Sequence, residues 1–156
     1  MVRSEAMQRL DVLVGSWRTT LSNAWFLEPA DREVPGSATG EWLADAFVVF
    51  RWTMAGDVGA ATSEMVLMLG RSDANDAWTA LYHDERGVCR VYAMTFDGSH
   101  WELTRADPDM HQRFVADLEQ DRITGRWEAS EDRGKTWRKD FDLVFERDGG
   151  LSGRPE

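Results

Sequence analysis

Apolar side chains recur at every second position in short runs along this chain, and small or acidic residues close each run. The alternation is plainest near the C-terminus. Ile123, Gly125, Trp127 and Ala129 oppose Thr124, Arg126, Glu128 and Ser130. Trp137, Phe141, Leu143 and Phe145 then oppose Arg138, Asp140, Asp142 and Glu146. A period of two is that of a strand with one buried and one wet face. It predicts strands over residues 17–27, 38–44, 47–54, 63–70, 77–83, 88–96, 100–105, 112–119, 123–130 and 136–147. Turn chemistry separates them: Gly56-Asp57, residues 72–76, Asp84-Glu85-Arg86-Gly87, Asp97-Gly98, Asp107-Pro108-Asp109 and Gln120-Asp121. Residues 28–37 hold Pro29 and Pro35 and read as the longest loop.

One segment has a helical period. In residues 4–14, Ser4 is placed to cap, Met7, Leu10 and Val14 (with Leu13) share a face, and Gly15 stops the helix. No second helix is predicted, so parallel crossovers are excluded and an antiparallel meander of about ten strands remains. Closing into a barrel is the simplest way for such a sheet to lose its edges. The expected fold is therefore all-β: an antiparallel up-and-down barrel in one domain over residues 1–156, with a helix in 1–14, the barrel in 15–147 and a flexible tail in 148–156.

The run Ser130-Glu131-Asp132-Arg133-Gly134-Lys135-Thr136-Trp137 has the S-x-D-x-G-x-T-W form of an Asp box, which resembles the repeated hairpin of sialidase-type propellers. It occurs once, and a propeller needs several blades of similar period. It therefore predicts a tight hairpin and no glycosidase chemistry. Asp132 is placed to accept backbone N–H groups at the turn, Gly134 to supply a positive φ, and Trp137 to cover the turn.

Composition narrows the function classes. There are 28 acidic against 18 basic residues, a formal charge of −10, which disfavours nucleic acid and anionic membrane surfaces as partners. A single cysteine, Cys89, allows no internal disulfide and no zinc-type pair, and it reads as a small core or barrel-wall residue. Residues 1–15 have scattered charges and do not read as a signal peptide; no apolar run approaches a membrane span. These features lead us to expect a cytoplasmic protein. Eight tryptophans, spread over the predicted strands, suit a β-protein with a large ring in nearly every strand.

Gly15-Ser16-Trp17, after Leu13-Val14 and a short helix, resembles the start of calycin barrels, where a Gly-x-Trp at the first strand plugs one end. Tyr82-His83-Asp84-Glu85-Arg86-Gly87-Val88-Cys89-Arg90-Val91-Tyr92, then Gln112-Arg113-Phe114, Gly125-Arg126-Trp127-Glu128 and the Asp box, resembles the uncharacterised bacterial DUF1579-type, calycin-like (lipocalin-like) family over residues 10–147. That resemblance implies a fold and no reaction. The nitrobindin-like haem proteins share the general shape and open on Gly-x-Trp-x-Gly-x-Gly. Here Thr19 and Leu21 stand at the later glycine positions, against haem.

No catalytic constellation emerges. His83, His100 and His111 lack metal-ligand spacing, and His111 could hold haem only if it faced a cavity. Asp84, Glu85, Asp107, Asp109, Asp117, Glu119 and Asp121 sit at turns or on wet faces, with no pair selected for acid–base work. Ser16, Ser63 and Ser130 have no nucleophile-elbow context. One set of faces does suggest a pocket. Arg90, Tyr92, Met94 and Phe96 share a parity, as do Trp101, Leu103 and Arg105, and Gln112, Phe114, Ala116 and Leu118. If these point inward, Arg90 and Arg105 would hold an acid group, with Gln112 beside them, while Tyr92, Trp101 and Phe114 surround an apolar body. Each arginine could equally pair with a wall carboxylate such as Glu64 or Glu102, and Cys89, Val91, Ala93 and Thr95 could face a narrow lumen instead.

The expected function is binding of a small apolar or weakly acidic molecule, with no cofactor. The alternatives are an enzyme acting in the same cavity (isomerase, lyase or hydrolase), a nitrobindin-like haem binder, and an interaction module with a filled lumen and a homodimer surface.

Overall fold

The computed structural model describes residues 3–55, 63–72, 77–108 and 110–148. A short helix α1 (Glu5–Gln8) runs into a 3₁₀ turn (Arg9–Leu13). Ten strands follow: β1 (Gly15–Ser22), β2 (Val34–Leu43), β3 (Phe47–Met54), β4 (Glu64–Arg71), β5 (Trp78–Asp84), β6 (Cys89–Phe96), β7 (His100–Ala106), β8 (His111–Glu119), β9 (Arg122–Ser130) and β10 (Arg138–Arg147). Each pairs antiparallel with its sequence neighbours, and β1 pairs with β10, so the sheet is a closed up-and-down barrel. No helix among the described residues is long and apolar enough to cross a membrane. Of the tail expected over residues 148–156, all but Asp148 lies outside the described residues. The Asp148 N–H donates to the Ser16 carbonyl, 2.9 Å away.

The lumen takes one parity from every strand. Trp17, Leu21, Phe50, Trp52, Tyr92, Trp101, Phe114, Trp127 and Phe145 are all buried. The parity carrying Arg90, Tyr92 and Met94 is therefore the inner one. Cys89 and Val91 are exposed on the outer wall.

The N-terminal segment closes one end. Ser4 caps α1 by accepting from the Met7 N–H at 3.2 Å. Met7, Leu10 and Leu13 turn inward. Trp17 donates its indole N–H to the Leu13 carbonyl at 3.1 Å. The Arg147 guanidinium lies 4.1 Å from the Trp17 ring and donates to the carbonyls of Val14 and Val12 at 2.9 and 2.8 Å. A Cβ at Gly40 would stand 2.2 Å from the Leu13 carbonyl oxygen, so the plug seats only against a glycine. Above it, Phe50, Phe96, Trp101, Phe114 and Phe145 pack edge to face with centroids 5.3–6.4 Å apart. That half of the barrel is packed with rings, leaving a void of only about 20 Å³.

Three boundaries differ from the alternation pattern. β1 ends at Ser22, well before residue 27: Asn23 adopts φ 52° and donates to Asp142 at 2.7 Å, turning the chain out of the sheet. Ala24 and Leu27 are buried all the same, packed from a loop. β2 begins at Val34 and includes Pro35, expected in a loop. Proline is tolerated at a strand start because only its missing N–H is lost to the ladder, and its carbonyl accepts from Ala55 at 2.8 Å. Third, a bulge lies in β10 between Lys139 and Phe141, so that Arg138 faces Ala129 and Phe141 faces Trp127. An extra residue reverses the parity of everything before it. Trp137 therefore leaves the face of Phe141 and packs outside under Arg113, 4.0 Å from its ring.

Candidate functional site

The barrel end opposite the plug opens into a cavity of about 270 Å³. Its walls are Trp52, Tyr82, Tyr92, Trp127 and Phe141, with Leu21, Met54 and Met65 filling between them. Its mouth is formed by the β1–β2 loop with Trp25 and Phe26, by Arg86 after β5, by Met110 before β8, and by Arg138 and Asp140 at the bulge. A mostly apolar enclosure with a few placed polar groups is the form of a small-molecule site.

Among the sequence-predicted residues, Arg90, Tyr92 and Gln112 line this cavity. Trp101 and Phe114 lie deeper, around a separate void of about 20 Å³ in the packed half. Arg105 is not among the lining residues; its guanidinium pairs with Asp107 and donates to Gln112 Oε1 at 2.8 Å. Gln112 Oε1 also accepts from the Tyr92 hydroxyl at 3.1 Å. Asp107 thus takes the pairing role that Glu64 or Glu102 could have had. Burial pushes the Tyr92 phenol above its ordinary range, with the charges of Arg105 and Arg90 partly offsetting it. Tyr92 is a neutral phenol whose hydroxyl donates a hydrogen bond to Gln112.

The rim cations differ in their neutralisation. Arg86 is held by Asp84 at 2.6 Å, and Asp84 also accepts from the Tyr82 hydroxyl at 2.8 Å. Mainly through the Arg86 hydrogen bond, Asp84 is lowered to about 2. Arg138 meets Asp140 at 3.1 Å. Asp140 also accepts from the Trp25 indole at 3.2 Å, and burial raises its carboxyl despite both partners. Arg90 has no carboxylate partner among the described residues; its guanidinium stands 5.6 Å from the Tyr82 ring centre.

Simple alternation misses Arg138 and Asp140 because it places them on the wet face. The signal was present: Lys139 falls on the apolar parity between Trp137 and Phe141, which an unbroken strand would not tolerate. The bulge resolves that conflict by turning Lys139 out and bringing Arg138 and Asp140 to the cavity. Trp25 was read as a strand residue; it is 64% exposed on the mouth loop, fixed by Asp140 and by Arg138 at 5.6 Å.

None of the three histidines lines the cavity. His100 bonds Asp117 at 3.1 Å toward the plugged end, and His111 lies beside the Asp-box turn near Gly134. The residues present do not fit a haem held by imidazole. The Asp box itself closes as its residue types dictate. Asp132 accepts from the Thr136 N–H at 2.8 Å and hydroxyl at 2.5 Å, Ser130 bridges Asp132 and the Gly134 N–H, and Gly134 has φ 83°.

No family model matches the chain, and no curated protein matches it. Among solved structures it is similar to the crystal structure of Rv2717c from M. tuberculosis, with a TM-score of 0.63 over 92% of this chain and 98% of that one, at 14% identity. At that identity the likeness is one of fold, and with the closed ten-stranded antiparallel barrel it fits a calycin-like architecture.

Proposed function

We propose that the barrel binds a small molecule with a flat apolar body and a weakly acidic group, anchored at Arg90. The observation that carries this reading is the charge state of the lumen. Arg86 and Arg138 have carboxylate partners, whereas Arg90 lines an aromatic cavity with none among the described residues. A cation beside apolar walls is costly unless paired, and an incoming carboxylate would pair it. Tyr92 and Gln112 add neutral polar groups beside it, and the rings of Trp52, Trp127 and Phe141 supply flat surface.

Calorimetric titration with 4-isopropylbenzoate tests the reading. Wild-type protein should bind, and Arg90→Met should weaken binding about tenfold or more, the loss of one charge-assisted contact. Native mass spectrometry of freshly purified protein should show a retained small acid. Absence of carboxylate binding at millimolar concentration, or equal affinity in Arg90→Met, would overturn the proposal.

A further inference from the structure

Every strongly buried tryptophan donor would be expected to find an acceptor. Trp17 gives its indole N–H to Leu13 and Trp52 gives its own to Thr19 Oγ1 at 3.0 Å. Trp101 is 1% exposed, yet its buried Nε1 has no hydrogen-bond partner among the described residues. Trp101 lines the void of about 20 Å³ beneath the main cavity. That void is the size of about one water, but a buried water needs two or more polar partners. Around it Phe50, Leu67, Phe114 and Phe145 are apolar, Trp52 and Trp127 carry only indole donors and the Met65 thioether is a weak acceptor, so no lining side chain supplies an oxygen acceptor.

The two spaces are neighbours. Trp52, Met65 and Trp127 line both, so these three side chains form the partition between them. Met65 is the flexible member, unbranched and only half-buried. We infer that the lumen takes a ligand with two polar ends: an acid held by Arg90 at the mouth and an uncharged hydrogen-bond acceptor, such as a carbonyl, that reaches past Met65 to the Trp101 N–H. This rests on the Arg90 reading and names the ligand class more narrowly, a short aromatic acid bearing a distal acceptor. The packed rings of Phe50, Phe96 and Trp101 leave no path for a long acyl chain.

Two near-isosteric acids, 4-isopropylbenzoate and 4-acetylbenzoate, separate the claims, because they differ by a carbonyl oxygen in place of a methyl. Calorimetry on the wild-type protein should show both binding, with the acetyl acid about tenfold tighter. Trp101→Phe should abolish that preference while leaving the isopropyl acid within about threefold of wild type. Should the variant fold poorly, the wild-type ¹H–¹⁵N spectrum gives the answer: the Trp101 indole resonance should move downfield with the acetyl acid and not with the isopropyl acid. Equal wild-type affinities with an unmoved Trp101 indole would overturn the two-ended ligand and leave the Arg90 anchor standing. Failure of both acids to bind would overturn the anchor and this inference with it.

Discussion

Both carboxylate oxygens of Asp132 are engaged within its own hairpin, by Ser130 and Thr136. The Thr136 hydroxyl and N–H, ahead of Ser130, lower its carboxyl from 3.8 to about 2. A carboxyl depressed in the folded state stabilises it at pH values above the unfolded pKa, and that contribution is lost as the pH falls through the folded pKa. Urea midpoints should therefore fall between roughly pH 5 and pH 2 in the wild type. Asp132→Asn should be less stable at neutral pH and show a shallower fall, with the remaining slope owed partly to Asp84, which is also lowered to about 2. These residues were legible from the sequence because the box is a local device: donor, acceptor and glycine lie within one short turn. Arg147 was not legible. The carbonyls it holds belong to Val12 and Val14, at the other end of the chain. Arg90 and Arg105 read alike in the sequence, yet Asp107 and Gln112 claim one and leave the other facing the cavity.

At the scale of the element, alternation identified every strand, and it faltered where backbone geometry departed from a plain ladder. The β10 bulge is the instructive case. One inserted residue turns Trp137 out and brings Arg138 and Asp140 to the cavity mouth, so a local irregularity builds half the rim. Bulges concentrate beside sites for this reason. The N-terminal plug is the second case. Helical period predicted its buried face, but its seat depends on a separate element, β2. Gly40→Ala would set a methyl 2.2 Å from the rigid Leu13 carbonyl. The clash is with backbone on both sides, so the expected cost is about 1–3 kcal/mol. Equilibrium urea unfolding should report it as a lower midpoint with little change in slope.

The whole molecule is a cylinder with unlike ends. One is sealed by Leu13, Trp17 and Arg147 and filled with rings; the other is open, aromatic and cationic despite a chain charge of −10. A ligand that binds only the folded barrel must stabilise it as a unit. At about 100 times its dissociation constant, 4-isopropylbenzoate should add about 2.7 kcal/mol to global stability. Thermal denaturation should show the shift in the wild type and lose most of it in Arg90→Met at the same concentration. The sequence by itself determined the class of fold: a meander of short antiparallel strands, tight acidic and glycine turns, one capped N-terminal helix and a clamped last hairpin. Those signals are short-ranged, since period, capping and turn chemistry act within a few residues. Only the tertiary structure decided which parity faces the lumen, how deep the rings fill it, and, among the described residues, which arginine lacks a carboxylate and that Trp101 is left without an acceptor. Those facts depend on register across ten strands and on closure of β1 against β10, where residues far apart in sequence first meet.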